Sequence, residues 1–463
     1  MSNPYPGLRP FRAEEATFFF GREALAEAIA TRLHLAPLTV LFARSGVGKS
    51  SFLTCRLIPL LQETSRVTFH NEWGAEAPEL VIRRCLAAPS EEETTDRPVL
   101  ILDQFEDVFK VTSDRDALWD EIAGAINVAV PPVSILICMR EEWLGAWEEA
   151  SDFLPDALAS LERLAPLTEG ELRRAICRPA ELEGSVRVGN NLAPVLLRDL
   201  RLPNAYGLGG ASVEPGLLQL VCRRLWEEAT RTPTKVMDAA LYAHLGGAER
   251  ILREFVWRDL ARVGESGAAF SPVERMIWVG LTRFLAIRPG VKVAVTPMAL
   301  ARRLHMRDLG VTGRAVLAAG GSRRSRKYLT AQPERRGDPP GEVAALITRT
   351  LEKGVALGFL KRQGPLPPSS ALPPGDASAN GTYELAHDAL SPLLEQFALQ
   401  FEDWMRRRTT VLLTALAGGV AVILAFAVLW LNVGPVRGMI FLLLVITVFS
   451  TIGRLLVAVA YAV

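Results

Sequence analysis

Leu38-Thr-Val-Leu-Phe-Ala-Arg-Ser-Gly-Val-Gly-Lys-Ser-Ser-Phe-Leu-Thr-Cys-Arg-Leu-Ile-Pro-Leu-Leu-Gln-Glu63 is the stretch on which the fold turns. Its first five residues are apolar and β-prone, its middle is glycine-rich, and its last thirteen, from Ser51, suit a helix. Strand, glycine loop and helix in that order make a phosphate-binding loop. Glycine lets successive backbone N–H groups wrap an anion, and the following helix N-terminus adds partial positive charge. Gly46, Val47, Gly48, Lys49, Ser50 and Ser51 are the candidate nucleotide contacts, with Lys49 reaching the β and γ phosphates and Ser50 ligating Mg²⁺. The strict pattern opens on Gly where Ala43 stands here, a change tolerated if that residue keeps an ordinary φ.

The segments on either side supply the rest of a site. Pro98-Val-Leu-Ile-Leu102 reads as a buried parallel strand and runs into Asp103-Gln-Phe-Glu106-Asp107. Carboxylates at the C-terminal end of such a strand sit where α/β sheets bind ligands. Asp103 is the candidate second holder of Mg²⁺, and Glu106 or Asp107 the candidate that orients or deprotonates the attacking water. A third strand, Val133 to Met139, ends at Arg140, whose guanidinium either reads the γ phosphate or pairs with Glu141 or Glu142. Phe20-Gly21-Arg22-Glu23 opens an amphipathic helix just before the first strand, where the chain can flank a purine base.

The 463 residues exceed what a single core usually supports, so several domains are expected. A net charge of +1 argues against a polyanion binder, and no nucleic-acid partner is expected. Five scattered cysteines (Cys55, Cys85, Cys138, Cys177, Cys222) contain no C-x-x-C pair, which suggests neither a disulfide framework nor a zinc site and fits a reducing cytosol. No basic stretch followed by an apolar run opens the sequence, so no cleaved secretory leader is expected. From Thr409 to Leu431 the chain carries no charge, long enough to cross a hydrocarbon core that takes about 20 helical residues. Met439 to Val463 forms a second apolar segment, interrupted by Arg454, and the two are expected to make a membrane hairpin. Arg406, Arg407 and Arg408 precede the first span, which by the positive-inside rule leaves everything N-terminal to it in the cytoplasm. Residues 320–341 and 363–381 read as loops, and no internal repeat is visible.

Taken together, Pro4-Tyr-Pro-Gly-Leu-Arg-Pro-Phe11, Phe19-Phe-Gly-Arg-Glu23, Ser45-Gly-Val-Gly-Lys-Ser-Ser51 and Asp103-Gln-Phe-Glu106 resemble the STAND class of signalling NTPases, and more narrowly the bacterial novel STAND NTPases. The likeness continues through Leu164-Ala-Pro-Leu-Thr168 and Glu171-Leu-Arg-Arg-Ala-Ile176, similar to the segment that opens the family's helical domain and whose proline, here Pro166, approaches the adenine. Tyr383-Glu-Leu-Ala-His387-Asp388 is similar to the histidine motif that ends the winged-helix domain, where a histidine contacts the β phosphate of ADP.

The resemblance implies an α/β P-loop NTPase domain with a parallel sheet over 1–165, a helical domain over 166–265 and a winged-helix-like domain with flexible loops over 266–405; the transmembrane hairpin over 409–463, read from the apolar runs, departs from the family's habit of a C-terminal repeat array. It further implies a slow ATP hydrolase that is closed with ADP and a homo-oligomer with ATP, acting in bacterial conflict or antiviral defence; with no repeat array to sense it, the trigger is expected to come from a protein partner, from the helical and winged-helix regions or from the membrane, and the hairpin, in contact with membrane lipid, is the expected effector. A transport ATPase is the main alternative, weakened by a small membrane region and the lack of an LSGGQ segment. A non-catalytic scaffold is the other, opposed by the presence of Glu106 and Asp107.

Overall fold

In the computed structural model the described residues are 3–73, 76–87, 98–112, 115–127, 133–154, 156–202, 212–261, 274, 277–281, 295–303, 341–363, 381–385, 390–391, 393–401 and isolated positions from 403 to 423. Five parallel strands form the central sheet: β1 (Leu38–Ala43), β2 (Val67–His70), β3 (Val99–Leu102), β4 (Ser134–Arg140) and β5 (Leu161–Arg163), in the spatial order β2-β3-β4-β1-β5. β4 therefore separates the strand that feeds the glycine loop from the strand that ends in carboxylates. Ala43 is in register with Arg140, and Leu102 with Ile137, so the tips of all three strands open on the same edge.

Alternation along these strands explains why both faces are covered. Val40, Ile135, Ile137, Leu100 and Leu102 point into one core with Trp119, Trp147 and Phe105. Leu41, Leu136, Cys138 and Ile101 point into the opposite core with α1 (Glu23–Leu35) and the helix after the glycine loop. A two-residue period buried on both sides is what a parallel sheet between helices requires.

The helix after the loop begins at Lys49–Phe52, passes through a π-helical turn at Leu53–Leu57 and continues as Ile58–Gln62. Pro59 accounts for the wider turn, because its ring removes an N–H and crowds the carbonyl one turn back. Beyond β5, the Thr168 hydroxyl accepts from the Glu171 N–H at 3.4 Å while the Glu171 carboxylate accepts from the Thr168 N–H at 2.6 Å. This capping box starts the helix Glu169–Glu183.

A third core joins the helices Glu169–Glu183, Leu192–Asp199 and Pro215–Arg231 to the C-terminal elements. Those elements include the helix Gly341–Ala356 and an antiparallel hairpin of Leu360–Gln363 with Thr382–Leu385. Val295 adds a single bridge to Tyr383. The N-terminal segment is clamped to the same core, for Tyr5 is almost wholly buried and its hydroxyl donates to the Ile176 carbonyl at 2.5 Å.

Among the described residues no helix is long and apolar enough to cross a membrane. The expected second span lies outside the described residues, and the first is described only at scattered helical positions such as Thr410, Thr414 and Gly418. The expected loops at 320–341 and 363–381 lie almost entirely outside them as well.

Candidate nucleotide site

The glycine loop has the backbone its sequence requires. Gly46 and Gly48 sit at φ +86° and +95°, a region that costs an L side chain roughly 1–2 kcal/mol. A Cβ built on Gly48 would meet nothing within 4 Å, so the loop borders open space rather than packed protein. That space is a cavity of about 360 Å³ lined by residues 44–51 together with Arg22, Gln104, Glu106, Arg140 and Lys361.

Three side chains at this edge are held ready for a ligand. Lys49 Nζ is buried and has no hydrogen-bond partner among the described residues. The Ser50 hydroxyl donates to Asp103 Oδ2 at 3.3 Å. The other oxygen of Asp103, a residue only 1 % exposed, is buried without a hydrogen-bond partner among the described residues. Burial raises the Asp103 carboxyl above its ordinary range, and the Lys49 charge works against that rise. An orphaned ammonium, an orphaned carboxylate oxygen and a hydroxyl beside a positive-φ glycine loop fit a magnesium-bound polyphosphate, because the first two lack what such a ligand brings and the hydroxyl, which donates to Asp103, keeps its oxygen lone pairs for a cation. Asp103 itself is fixed by its backbone: its N–H donates to the His70 carbonyl at 2.8 Å, and Trp73 Nε1 donates to its carbonyl at 2.9 Å.

The two acidic candidates separate. Glu106 is 2 % exposed and lines the cavity, with Arg140 Nε forming a salt bridge to its Oε1 at 3.0 Å and its Oε2 buried without a hydrogen-bond partner among the described residues. Asp107 turns to Lys110 at 2.6 Å and is not among the cavity residues, because the short helical turn Phe105–Asp107 points consecutive side chains in different directions. Gln104, immediately before that turn, sits at φ +56°, an unusual value for a side chain other than Gly and a local strain at the site.

Arg140 reaches the site as its position at the tip of β4 implies, but not to the partners nearest in sequence. It pairs with Glu106 and with Glu384 of the C-terminal hairpin. Glu141 instead meets Arg163 at 3.1 Å and Arg44 at 3.7 Å. The Glu384 contact was invisible to sequence reading, since it spans 244 positions. Lys361, on the other strand of that hairpin, donates to the Gln104 side-chain oxygen at 2.6 Å and carried no sequence signal either. Gln219, inside the helix Pro215–Arg231, also lines the cavity with a buried Oε1 that has no hydrogen-bond partner among the described residues, and it reads in sequence as one polar residue in an apolar run.

The remaining candidates divide between cavity and scaffold. Arg22 lines the cavity, is 5 % exposed, and keeps one guanidinium nitrogen without a hydrogen-bond partner among the described residues, its pKa lowered by burial and supported by Glu171. Val47 and Ser51 line it too, while Ser51 Oγ accepts from the Phe11 N–H at 3.2 Å and so ties down the N-terminal segment. Gly21 is not a cavity residue. At φ +99° its Cβ position would lie 2.9 Å from the Glu171 carbonyl, so glycine is needed there for close approach to the capping box. Pro166 is exposed and it is its neighbour Leu167 that lines the cavity. His387 lies outside the described residues.

Comparison with known proteins follows the same line. The family profile of novel STAND NTPase 1 matches residues 4–269. Among solved structures the chain is similar to the Aeropyrum pernix ORC2 protein in ADPNP–ADP complexes, with 14% identity over 82% of this chain and 94% of that one at a TM-score of 0.35. It is similar to the Aeropyrum pernix ORC1 protein in complex with DNA, at 14% identity, 84% and 94% coverage and a TM-score of 0.38. A third likeness is the Thermotoga maritima RuvB Holliday junction branch migration motor, at 17% identity, 74% and 98% coverage and a TM-score of 0.32. No curated protein matches. With more than half of its length inside the matched region and a glycine loop, an orphaned lysine and a buried aspartate meeting at one sheet edge, the chain belongs to the novel STAND NTPase 1 family.

Proposed function

We propose that this protein is a membrane-anchored ATPase switch, closed with ADP and assembling when ATP replaces it. The observation that carries the reading is the buried, partnerless Lys49 ammonium beside Ser50 and Asp103, in a cavity that the C-terminal hairpin helps to wall. A phosphate site built only by the sheet domain would bind nucleotide; one that also contains Arg140 paired to Glu384 couples nucleotide to the position of the C-terminal region.

In this reading Lys49 and the loop N–H groups hold the β and γ phosphates. Ser50 and Asp103 hold Mg²⁺, which supplies charge neutralisation at the phosphates when bound. Glu106 accepts the proton of the attacking water through its free oxygen, and its salt bridge to Arg140 fixes the orientation of the carboxylate. Gln219, Arg22 and Leu167 lie on the cavity wall where a nucleoside would extend from the phosphates.

The assignment of 166–265 as helical domain and 266–405 as winged-helix-like rests on the resemblance; the helix Gly341–Ala356 followed by the hairpin supports the latter. Anchoring rests on the apolar sequence from Thr409 onward and on Arg406, Arg407 and Arg408 before it: in this reading the transmembrane segments lie in the cell membrane as the effector and the sheet domain lies in the cytoplasm. A role in bacterial conflict or antiviral defence, and a protein trigger, rest on family context. Mass photometry of the detergent-solubilised full chain tests the switch: one species with ADP and a larger one with a non-hydrolysable ATP analogue support it, and identical mass with both nucleotides overturns it.

A further inference from the structure

The C-terminal hairpin presents two charged residues to the nucleotide site as one unit. Lys361 and Glu384 are directly opposite each other across the two strands. Cross-strand partners share a face, so both point at the sheet edge together. Lys361 donates to Gln104 and Glu384 pairs with Arg140, which brackets the Asp103–Glu106 turn from two sides. The two carboxylates of this cluster are deeply buried, Glu106 at 2 % and Glu384 at 3 % exposed; the Arg140 side chain is 12 % exposed, and Lys361 and Gln104 are half-buried.

Charge bookkeeping gives the arrangement its meaning. At the strand tips Lys49, Arg140 and Lys361 stand against Asp103, Glu106 and Glu384, so the cluster is balanced before any ligand enters. Arg140 in particular already serves two carboxylates, and a guanidinium fork engaged on both sides has little left to offer a third anion. A ligand whose last phosphate stops short of Arg140 leaves this arrangement intact. One phosphate more must either do without Arg140 or displace Glu384.

We infer that Glu384 is the residue that makes this conformation select a nucleoside diphosphate over a triphosphate, by occupying the guanidinium that the terminal phosphate would need. The inference rests on the proposed nucleotide site and deepens it by naming what separates its two ligands. Displacement of Glu384 by the third phosphate breaks the hairpin's hold on the sheet, so the same contact converts ligand identity into movement of the C-terminal region.

Binding of ADP and of AMP-PNP to the full chain, measured by isothermal titration at a fixed Mg²⁺ concentration and repeated in EDTA, tests this without relying on turnover. Wild type is expected to bind ADP at least tenfold more tightly than AMP-PNP. Glu384→Gln keeps the side-chain shape, and is expected to raise AMP-PNP affinity by about tenfold or more, the size of one charge-assisted hydrogen bond, with ADP affinity within about twofold. In an Arg140→Gln background Glu384→Gln is expected to change neither affinity, because the pair then no longer exists. Equal affinity of wild type for the two nucleotides overturns the inference, as does a Glu384→Gln effect that persists without Arg140. Should Glu384→Gln lose ADP binding through misfolding, the wild-type ratio still decides. Loss of both nucleotides in Lys49→Met, with no effect of Glu384→Gln, sinks the role of Glu384 and leaves the site assignment standing; undiminished binding in Lys49→Met sinks the site assignment itself.

Discussion

Replacing Lys49 with Met removes the ammonium and keeps most of the side chain's reach. In the ligand-free protein two effects oppose each other. Lys49 Nζ is buried without a hydrogen-bond partner among the described residues, and relieving such a group returns roughly 1–3 kcal/mol. Against this, Asp103 loses a cation whose field offsets the burial of its carboxylate, an interaction on the order of a few kcal/mol at an effective dielectric near 20. The two nearly cancel, so ligand-free stability should move by no more than about 2 kcal/mol in either direction. Ligand binding does not cancel. Nucleotide at a hundred times its dissociation constant adds about 2.7 kcal/mol to wild type. For cooperative units of about 150–250 residues that corresponds to a rise of about 5–11 °C in melting temperature. Differential scanning fluorimetry with and without Mg²⁺-ADP should show that rise in wild type and less than about 1 °C in Lys49→Met. An undiminished rise in the variant would refute the phosphate role. Ligand-free loss of more than about 4 kcal/mol would instead make Lys49 a structural cation.

Gly21→Ala should lower stability by about 1–3 kcal/mol in chemical denaturation, since its Cβ falls 2.9 Å from the Glu171 carbonyl at a φ of +99°; a neutral result would mean that the loop shifts freely. Tyr5→Phe should cost about 1–2 kcal/mol, because it deletes a buried hydrogen bond to the Ile176 carbonyl, and limited proteolysis should then release the N-terminal segment first. The His70 imidazole is held below its ordinary pKa of 6.5, chiefly by burial. The unfolded chain therefore takes up the proton first as pH falls, and stability should decline from about pH 6.5 downward. His70→Asn should flatten that part of the stability-versus-pH curve, and an unchanged slope would remove His70 as its source.

How much could be read from the sequence depended on how local each feature is. The glycine loop is a strand, a turn and a helix start in succession, and the strands expected at Leu38, Pro98 and Val133 are the long apolar runs that become β1, β3 and β4. The short strands Val67–His70 and Leu161–Arg163 escaped, since the first alternates over four residues only and the second, three residues long, carries Glu162 and Arg163 at the sheet edge. Asp103 and Arg140 were legible because a carboxylate or guanidinium directly after a buried strand has few structural roles. Choosing between Glu106 and Asp107 needed the turn geometry, which adjacency in sequence does not encode. Glu384 and Lys361 were beyond reach for a different reason: each is an ordinary charged residue in a short strand, and its partner in the site is fixed only when the C-terminal hairpin docks on the sheet. Gly21 shows the converse, where a recognisable motif marks close packing next to the cavity, and at Pro166 the motif's proline is exposed while its neighbour Leu167 lines the cavity.

The proposed switch depends on Glu106 activating water against a bound nucleoside triphosphate. Release of inorganic phosphate from Mg²⁺-ATP by the purified full chain, compared among wild type, Glu106→Gln and Asp107→Asn, measures it most directly. Slow Mg²⁺-dependent release is expected in wild type and in Asp107→Asn, with at least a hundredfold loss in Glu106→Gln while ATP binding persists. Release that survives in Glu106→Gln, or that disappears only in Asp107→Asn, would contradict the account.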